Sequence, residues 1–300
     1  MSEKNLSFGY DEGGCVTVGL DTQTAFWQPY RFVTGQNIQI IRGEALNERT
    51  AQFLIPIFVG QMRAKFNWGG NGATLGRMRR LDLLLPAADD GKPDWDYMSS
   101  FVEDIRAELL ARYRKYAATR LAELERKEIP GLDEVQWSTF TIGDIFTVLP
   151  GKRLEKRNMI PGDYPFIGAS DSNNGVTAFV GNKNESLDRN VLGINYNGSV
   201  CEAFYHSYEC VFTDDVKRLH LKNREDNEAV LLFMGLMIRK QKSKYEYAYK
   251  FNEQRMRRQA IVLPVADDGV PDYAYMEQYV KNVMRGKYER YLAYLDGQGR

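Results

Sequence analysis

The sequence predicts an α/β (α+β) chain of two related domains, each closed by a long helix, the two helices packing as an antiparallel coiled-coil-like spacer. Three observations lead there. Residues 77–105 read RMRRLDLLLPAADDGKPDWDYMSSFVEDI and residues 255–283 read RMRRQAIVLPVADDGVPDYAYMEQYVKNV, a match that marks two copies of one structural unit. Each copy runs into a long segment whose apolar residues recur at three- and four-residue steps. Between the copies, residues 137–230 form short runs rich in aromatic and β-branched residues, cut by Gly and Asn, as strands and turns are.

Taken in order, residues 14–45 align loosely with 190–222, and 49–65 match the helical stretch at 229–243. Nothing in residues 1–13 corresponds to 137–189, so the first copy reads as a shortened domain or a truncated reading frame. The repeat itself has a fixed grammar. A basic RMRR leads into an apolar run, Leu83 to Leu85 or Ile261 to Leu263, that reads as a buried strand. Pro86 or Pro264 ends it, Asp-Asp-Gly supplies a turn, and Pro93-Asp94 or Pro271-Asp272 starts a helix with Asp as N-cap. In the first helix the stripe is Met98, Phe101, Ile105, Leu109, Tyr113, Tyr116, Leu121 and Leu124. In the second, Met276, Tyr279, Val280, Val283, Met284, Lys287, Tyr288, Tyr291, Leu292 and Leu295 form it. A single apolar stripe needs a cover, and the other copy's helix is the economical one. The divisions expected are a partial domain over 1–93, a spacer helix over 94–128, a linker over 129–136, a full domain over 137–271 and a second spacer helix over 272–297.

Composition narrows the classes. A 300-residue chain with 43% hydrophobic and 27% charged residues suits two globular domains. No apolar run is long enough to span a bilayer, and the opening MSEKNLSFGYDEGG has no signal-peptide core. Cys15, Cys201 and Cys210 make neither a metal-ligand pattern nor an even disulfide framework; they read as buried free thiols in a reducing, cytoplasmic protein. Net charge is zero, yet Arg239, Lys240, Lys242, Lys244, Lys250, Arg255, Arg257 and Arg258 stand against only Glu246 and Glu253. Phosphate attraction is local, so such a patch on a neutral chain still has an electrostatic footprint.

The second half carries, in sequence, Trp137, then Leu149-Pro150-Gly151-Lys152-Arg153, Tyr164-Pro165-Phe166-Ile167-Gly168, Asn173-Asn174-Gly175, Asn197-Gly198-Ser199, Phe204-Tyr205-His206, Asp214-Asp215-Val216, Lys250-Phe251-Asn252 and Ile261-Val262-Leu263-Pro264. This order resembles the specificity subunits of type I restriction-modification systems and their type IIB relatives, well over about 137–295 and more weakly over 14–127. The resemblance implies two target recognition domains, each reading half of a split site on double-stranded DNA. It implies helices that space the readers and dock DNA adenine methyltransferase subunits, an ATP-dependent nuclease as a further partner, and no cofactor on this chain. A helix of about 24 residues is about 36 Å long, close to one turn of B-DNA, which suits a ruler between half-sites.

Candidate DNA contacts follow, each beside a blander reading. Lys152 and Arg153 leave a strand into a loop, suited to phosphate or a guanine edge, or simply to solvent. Ser172, Asn173 and Asn174 offer amide groups to adenine, though a plain turn explains Asn-Asn-Gly nearly as well. Lys240, Lys242, Lys244, Tyr245, Tyr247 and Lys250 alternate charge with aromatic surface, as phosphate contacts or as a solvated edge. Arg255 and Arg257 belong to the RMRR stretch, with salt bridges as the alternative, and Lys65 and Arg77 are first-copy counterparts. His206 lies in an aromatic run and reads as a packed residue. Catalytic signatures are sparse: no Asn/Asp-Pro-Pro-Tyr/Phe stretch, P-loop or dinucleotide fingerprint occurs. Pro93-Asp94 with Glu125-Arg126-Lys127 imitates a nuclease pattern, but one predicted helix of roughly 45 Å separates the parts. The rival class is a silent cassette that docks a methyltransferase without reading DNA; a homodimer through the helices would supply two intact readers and argue against it.

Overall fold

The computed structural model describes residues 9–66, 73–245 and 251–298, in two compact units, Met1–Tyr116 and Ala117–Arg300. In the first unit, β1 (Cys15–Gly19), β2 (Thr24–Gln28) and β3 (Ile38–Ile41) make an antiparallel sheet in the order β2-β1-β3. The central strand is buried along its whole length, which is why it reads Cys-Val-Thr-Val-Gly without polar alternation. Helix α1 (Glu48–Lys65) begins at a reciprocal cap, where the Asn47 side chain accepts from the Thr50 amide and the Thr50 hydroxyl accepts from the Asn47 amide. It places Ala51, Phe58 and Met62 on Val16, Val18 and Ala25, and Met78 of the short α2 (Leu75–Met78) joins them.

The repeat gives the same local structure twice. Ala88 donates its amide to Lys92 O as Ala266 does to Val270 O, around Gly91 at φ 78° and Gly269 at φ 79°. These are left-handed positions that Gly adopts without steric cost. The Asp94 carboxylate then accepts from the Tyr97 amide at 2.8 Å, and Asp272 from Tyr275 at 2.9 Å. From these caps run α3 (Trp95–Glu123) and, at the far end of the chain, α7 (Tyr273–Gln298). The chain is therefore α+β, with the final long helix in place.

One strand expectation fails. Residues 81–86 form no strand, and Leu84 is 91% exposed. The second copy explains why. There Ala260–Pro264 pairs in register with Trp137–Thr141, from Ala260 opposite Thr141 to Pro264 opposite Trp137. Among the described residues the first unit offers Leu83–Leu85 no such partner, and a strand without a ladder leaves its amides to solvent.

The second unit holds β4 (Trp137–Thr141), α4 (Ile142–Ile145), β5 (Phe146–Pro150), β6 (Pro161–Ile167), β7 (Val176–Val180), β8 (Val191–Asn195), β9 (Ala203–His206), β10 (Val211–Phe212), β11 (Val216–Leu221), α5 (Glu228–Arg239), α6 (Glu253–Arg258) and β12 (Ala260–Pro264). They build sheets in the orders β5-β11-β8-β9, β10-β6-β7 and β12-β4. Helix α5 seals the four-stranded sheet with Val230, Leu231, Met234 and Ile238 over Leu192, Ile194 and Leu219. The start of α7 then covers α5: Met276 is fully buried and Tyr279 meets Phe233 edge-on at 5.8 Å. That half of the stripe thus serves its own domain. The stretch after α3 is strapped to α7 by Gln278 donating to Glu125 O (2.9 Å), Asn282 to Lys127 O (2.7 Å) and Arg285 to Leu124 O (2.9 Å). All three cysteines are buried and free.

Gly151 fixes where β5 hands over to its loop. A Cβ there would collide with the carbonyls of Thr213 and Val216. Gly151→Ala is accordingly expected to cost about 2–4 kcal/mol, as overpacking against immobile backbone does. A melting temperature equal to that of the unaltered protein would refute this.

Candidate functional site

The end of the four-stranded sheet where β5 and β8 finish and β11 begins gathers three loops. Gly151 donates to Val216 O, Lys152 to Phe212 O, Tyr196 to Asp215 O and Ser199 to Ala169 O, so 151–153, 195–202 and 213–215 form one connected rim. Asn195, itself buried, donates its side-chain amide to Ser170 O at 2.9 Å and ties in the segment leading to Ser172.

Lys152 and Arg153 lie on this rim and are mostly exposed. Lys152 Nζ reaches Glu185 at 3.3 Å, and Arg153 Nε is 3.9 Å from Glu155, both loose pairs at the surface. Ser172 continues the rim through its hydroxyl, 3.0 Å from that of Ser170. The following residues Asn173, Asn174 and Gly175 have φ of 50°, 54° and 75°, three left-handed positions in succession. Asn tolerates that region better than other side-chain-bearing residues, which accounts for the Asn-Asn-Gly sequence. Asn173 is left exposed. Asn174, also exposed, donates to Tyr208 Oη at 3.2 Å and Tyr205 O at 3.4 Å.

Several of the expected contacts have partners within the protein. Lys242 Nζ lies 2.6 Å from Glu202 Oε1, a carboxylate only 6% exposed, and Arg239 Nε lies 3.0 Å from its other oxygen as an ion pair. A carboxylate so buried requires its counter-charges, and Lys242 is one of them. The Tyr245 hydroxyl donates to Gln259 Oε1 at 2.5 Å while its ring packs on Phe251, so its polar tip points inward. Arg257 is bound to Glu253 at 2.9 Å and to Val148 O at 3.0 Å, a tie between α6 and β5. Lys244 caps back onto Gln241 at 2.7 Å, and Lys240 is exposed at the end of α5. Arg255 lines an open concavity with Tyr245, Gln254, Arg258 and Gln259. Lys65 ends α1 and is exposed, whereas Arg77 on α2 is half-buried. Tyr247 and Lys250 lie outside the described residues.

The structure adds a cluster that sequence reasoning missed. His220 Nδ1 meets Asp226 at 2.6 Å and Nε2 meets Asp188 at 2.9 Å; Arg218 also binds Asp188 at 2.7 Å. Hydrogen bonds from Asp188 and Asp226 push the His220 pKa up to about 9, so the ring is an imidazolium at neutral pH. Burial raises the Asp188 carboxyl, but the bonds from His220 and Arg218 outweigh it and hold it below the usual range. Arg218 also donates to Pro150 O at 2.9 Å, so the cluster anchors the residue before Gly151-Lys152-Arg153. Asp188 lies 32 residues from His220 in sequence, and no local pattern announces that pairing. His206 is packed as expected, with burial lowering its pKa to about 4. No group of three His, Cys, Asp or Glu among the described residues is placed to hold a metal, and no helix there is long and apolar enough to cross a membrane.

The sequence of this domain matches, over residues 134–290, the family of the type I restriction modification DNA specificity domain. The chain is also 42% identical, over 265 residues, to the specificity subunit S.BcgI of the type II restriction enzyme BgcI from Heyndrickxia coagulans, a match covering 88% of this chain and 76% of that protein. It belongs to the family of restriction-modification specificity subunits, proteins of DNA sequence recognition. Similar solved structures include the type I S subunit from M. genitalium (TM-score 0.47, 15% identity, 96% of this chain and 81% of that one). Another is the HsdS subunit from Thermoanaerobacter tengcongensis (TM-score 0.37, 13% identity, 93% and 76%).

Proposed function

We propose that this chain is a non-catalytic reader that directs partner DNA adenine methyltransferase subunits, and a nuclease, to a split site on double-stranded DNA. The observation that carries this is the duplicated module: the same turn, the same Asp cap and a long helix after each, at Ala88–Tyr97 and Ala266–Tyr275. Two copies of one domain-and-helix unit suit two half-sites held at a set spacing. The division of labour is residues 1–93 and 137–271 as readers, 94–128 and 272–297 as spacer helices, and 129–136 as the link between the halves. S-adenosylmethionine, ATP and Mg²⁺ belong to the partners' chemistry. The exposed Ile105, Leu109 and Tyr116 on α3 offer apolar surface to such a partner or to a second copy of the chain. On the reading rim, Lys152 and Arg153 approach the DNA together with Ser172 and Asn173; Arg255 and Lys240 provide phosphate contacts.

A second reading is favoured by one observation, the unpaired stretch 81–86 with Leu84 in solvent: the first unit is a docking element that reads nothing. Methylation maps separate the two. DNA from cells co-expressing this chain with its methyltransferase is compared with DNA from cells making the methyltransferase alone. A new split motif is the expected result, and a new palindromic motif would mean that two second-unit readers act as a pair. A stable complex that adds no methylated motif would sink the reader proposal and leave docking alone.

A further inference from the structure

Tyr208 has no part in the contacts proposed so far, yet it touches the reading loop. Its hydroxyl lies 3.2 Å from Asn174 Nδ2 and 3.3 Å from His206 Nδ1. The Asn174 amide is oriented by its second contact, Tyr205 O, which only accepts, so Asn174 donates to the Tyr208 oxygen. The His206 tautomer follows from its surroundings. The ring is fully buried and neutral, its Nε2 has no hydrogen-bond partner, and around it stand Gly193 and the edge-on ring of Phe212 at 5.4 Å. A proton on Nε2 would leave a buried N–H unmet, which proteins avoid more strictly than a bare acceptor. The proton therefore sits on Nδ1 and is donated to Tyr208.

The Tyr208 oxygen thus accepts two hydrogen bonds, and its own O–H must point elsewhere. Tyr208 is 39% exposed, so solvent or a ligand can reach it. We infer that Tyr208 is an additional DNA contact, a donor-only hydroxyl oriented by His206 and Asn174 toward an acceptor atom of the duplex. This rests on the proposal that the Ser172–Gly175 loop reads DNA, and adds to it: Asn174 is a positioning residue, and Tyr208 joins Ser172 and Asn173 in meeting the DNA. A phenol that accepts two bonds donates more strongly for it, through hydrogen-bond cooperativity. Acceptors that fit are guanine N7 or O6, adenine N7, thymine O4 or a phosphate oxygen.

The test uses the full chain in complex with its methyltransferase, on duplexes bearing the mapped motif and a scrambled one. Tyr208→Phe keeps the ring and is expected to weaken binding about tenfold. A loss confined to the motif duplex assigns the contact to a base; an equal loss on both assigns it to a phosphate. Adding Asn174→Ala to Tyr208→Phe should cost little more, since Asn174 acts through Tyr208. Independent, multiplying losses would overturn the positioning role, and unchanged binding by Tyr208→Phe would overturn the contact. Should Tyr208→Phe lower the melting temperature, 3-fluorotyrosine at this position, a stronger donor of nearly the same shape, is expected to tighten binding, and no tightening would count against the inference. A wild-type complex that adds no methylation overturns the reader proposal and this inference with it; wild-type methylation with an indifferent Tyr208→Phe overturns this inference alone.

Discussion

Asp188→Asn is expected to destabilise the second unit by about 3–5 kcal/mol, because it removes the carboxylate that Arg218 and His220 share and leaves the Arg218 charge uncompensated. Arg218, with a side chain only 9% exposed, would face a neutral amide, and the His220 imidazolium would retain Asp226 alone. The cluster also sets a pH dependence. The folded pKa of His220, about 9, lies above the ordinary value of 6.5, so its contribution is complete below pH 6.5 and is lost as pH rises through 9. A shift of that size on a half-buried group, discounted for solvent screening, corresponds to a stabilisation on the order of 2 kcal/mol. Asp188 works at the other end of the scale: its lowered pKa contributes stability above the ordinary carboxylate range, lost in acid. Melting curves from pH 6.5 to above pH 9 should fall for the unaltered protein and stay flatter for His220→Gln. Parallel curves for the two, or an Asp188→Asn protein as stable as the original, would show that the cluster does not hold the fold. Since Arg218 binds Pro150 O, loosening it also loosens the hinge of the Lys152–Arg153 loop.

What the sequence made legible was what local rules decide. The Asp94 and Asp272 caps, the glycine turns at Gly91 and Gly269, and both long helices follow from a few adjacent residues, and each forms as expected. Leu83–Leu85 shows where that stops. Its pattern matches Ile261–Leu263, but a strand exists only if a partner strand does, and Trp137–Thr141 is over a hundred residues away from its mate. The site divides the same way. Arg257 belongs to Glu253 one helical turn earlier, a pairing the spacing already contained. Lys242 and Tyr245 are claimed by Glu202 and Gln259, partners set by the tertiary fold. Tyr208 stood next to the noted Phe204-Tyr205-His206 run, but its role depends on which lone pairs are occupied, which no linear pattern encodes.

Replacing Lys152 and Arg153 together by Ala is expected to weaken DNA binding about 10- to 100-fold and to reduce the slope of log affinity against log salt by about one to two. Both side chains are more than half exposed, their acidic neighbours hold them only loosely, and Gly151 holds their loop against Thr213 and Val216 beside the segment leading to Ser172. Such side chains can neutralise phosphates and release the counterions condensed on the DNA, at little cost in broken pairs. Arg257 is the control that gives the experiment its meaning. Arg257→Ala removes bonds to Glu253 and Val148 O, and is expected to lower stability by about 1–3 kcal/mol while leaving the salt slope intact. If Arg257→Ala flattened the slope and the double variant did not, phosphate would be met at α6, and the rim at the sheet's end would lose its claim to face the DNA.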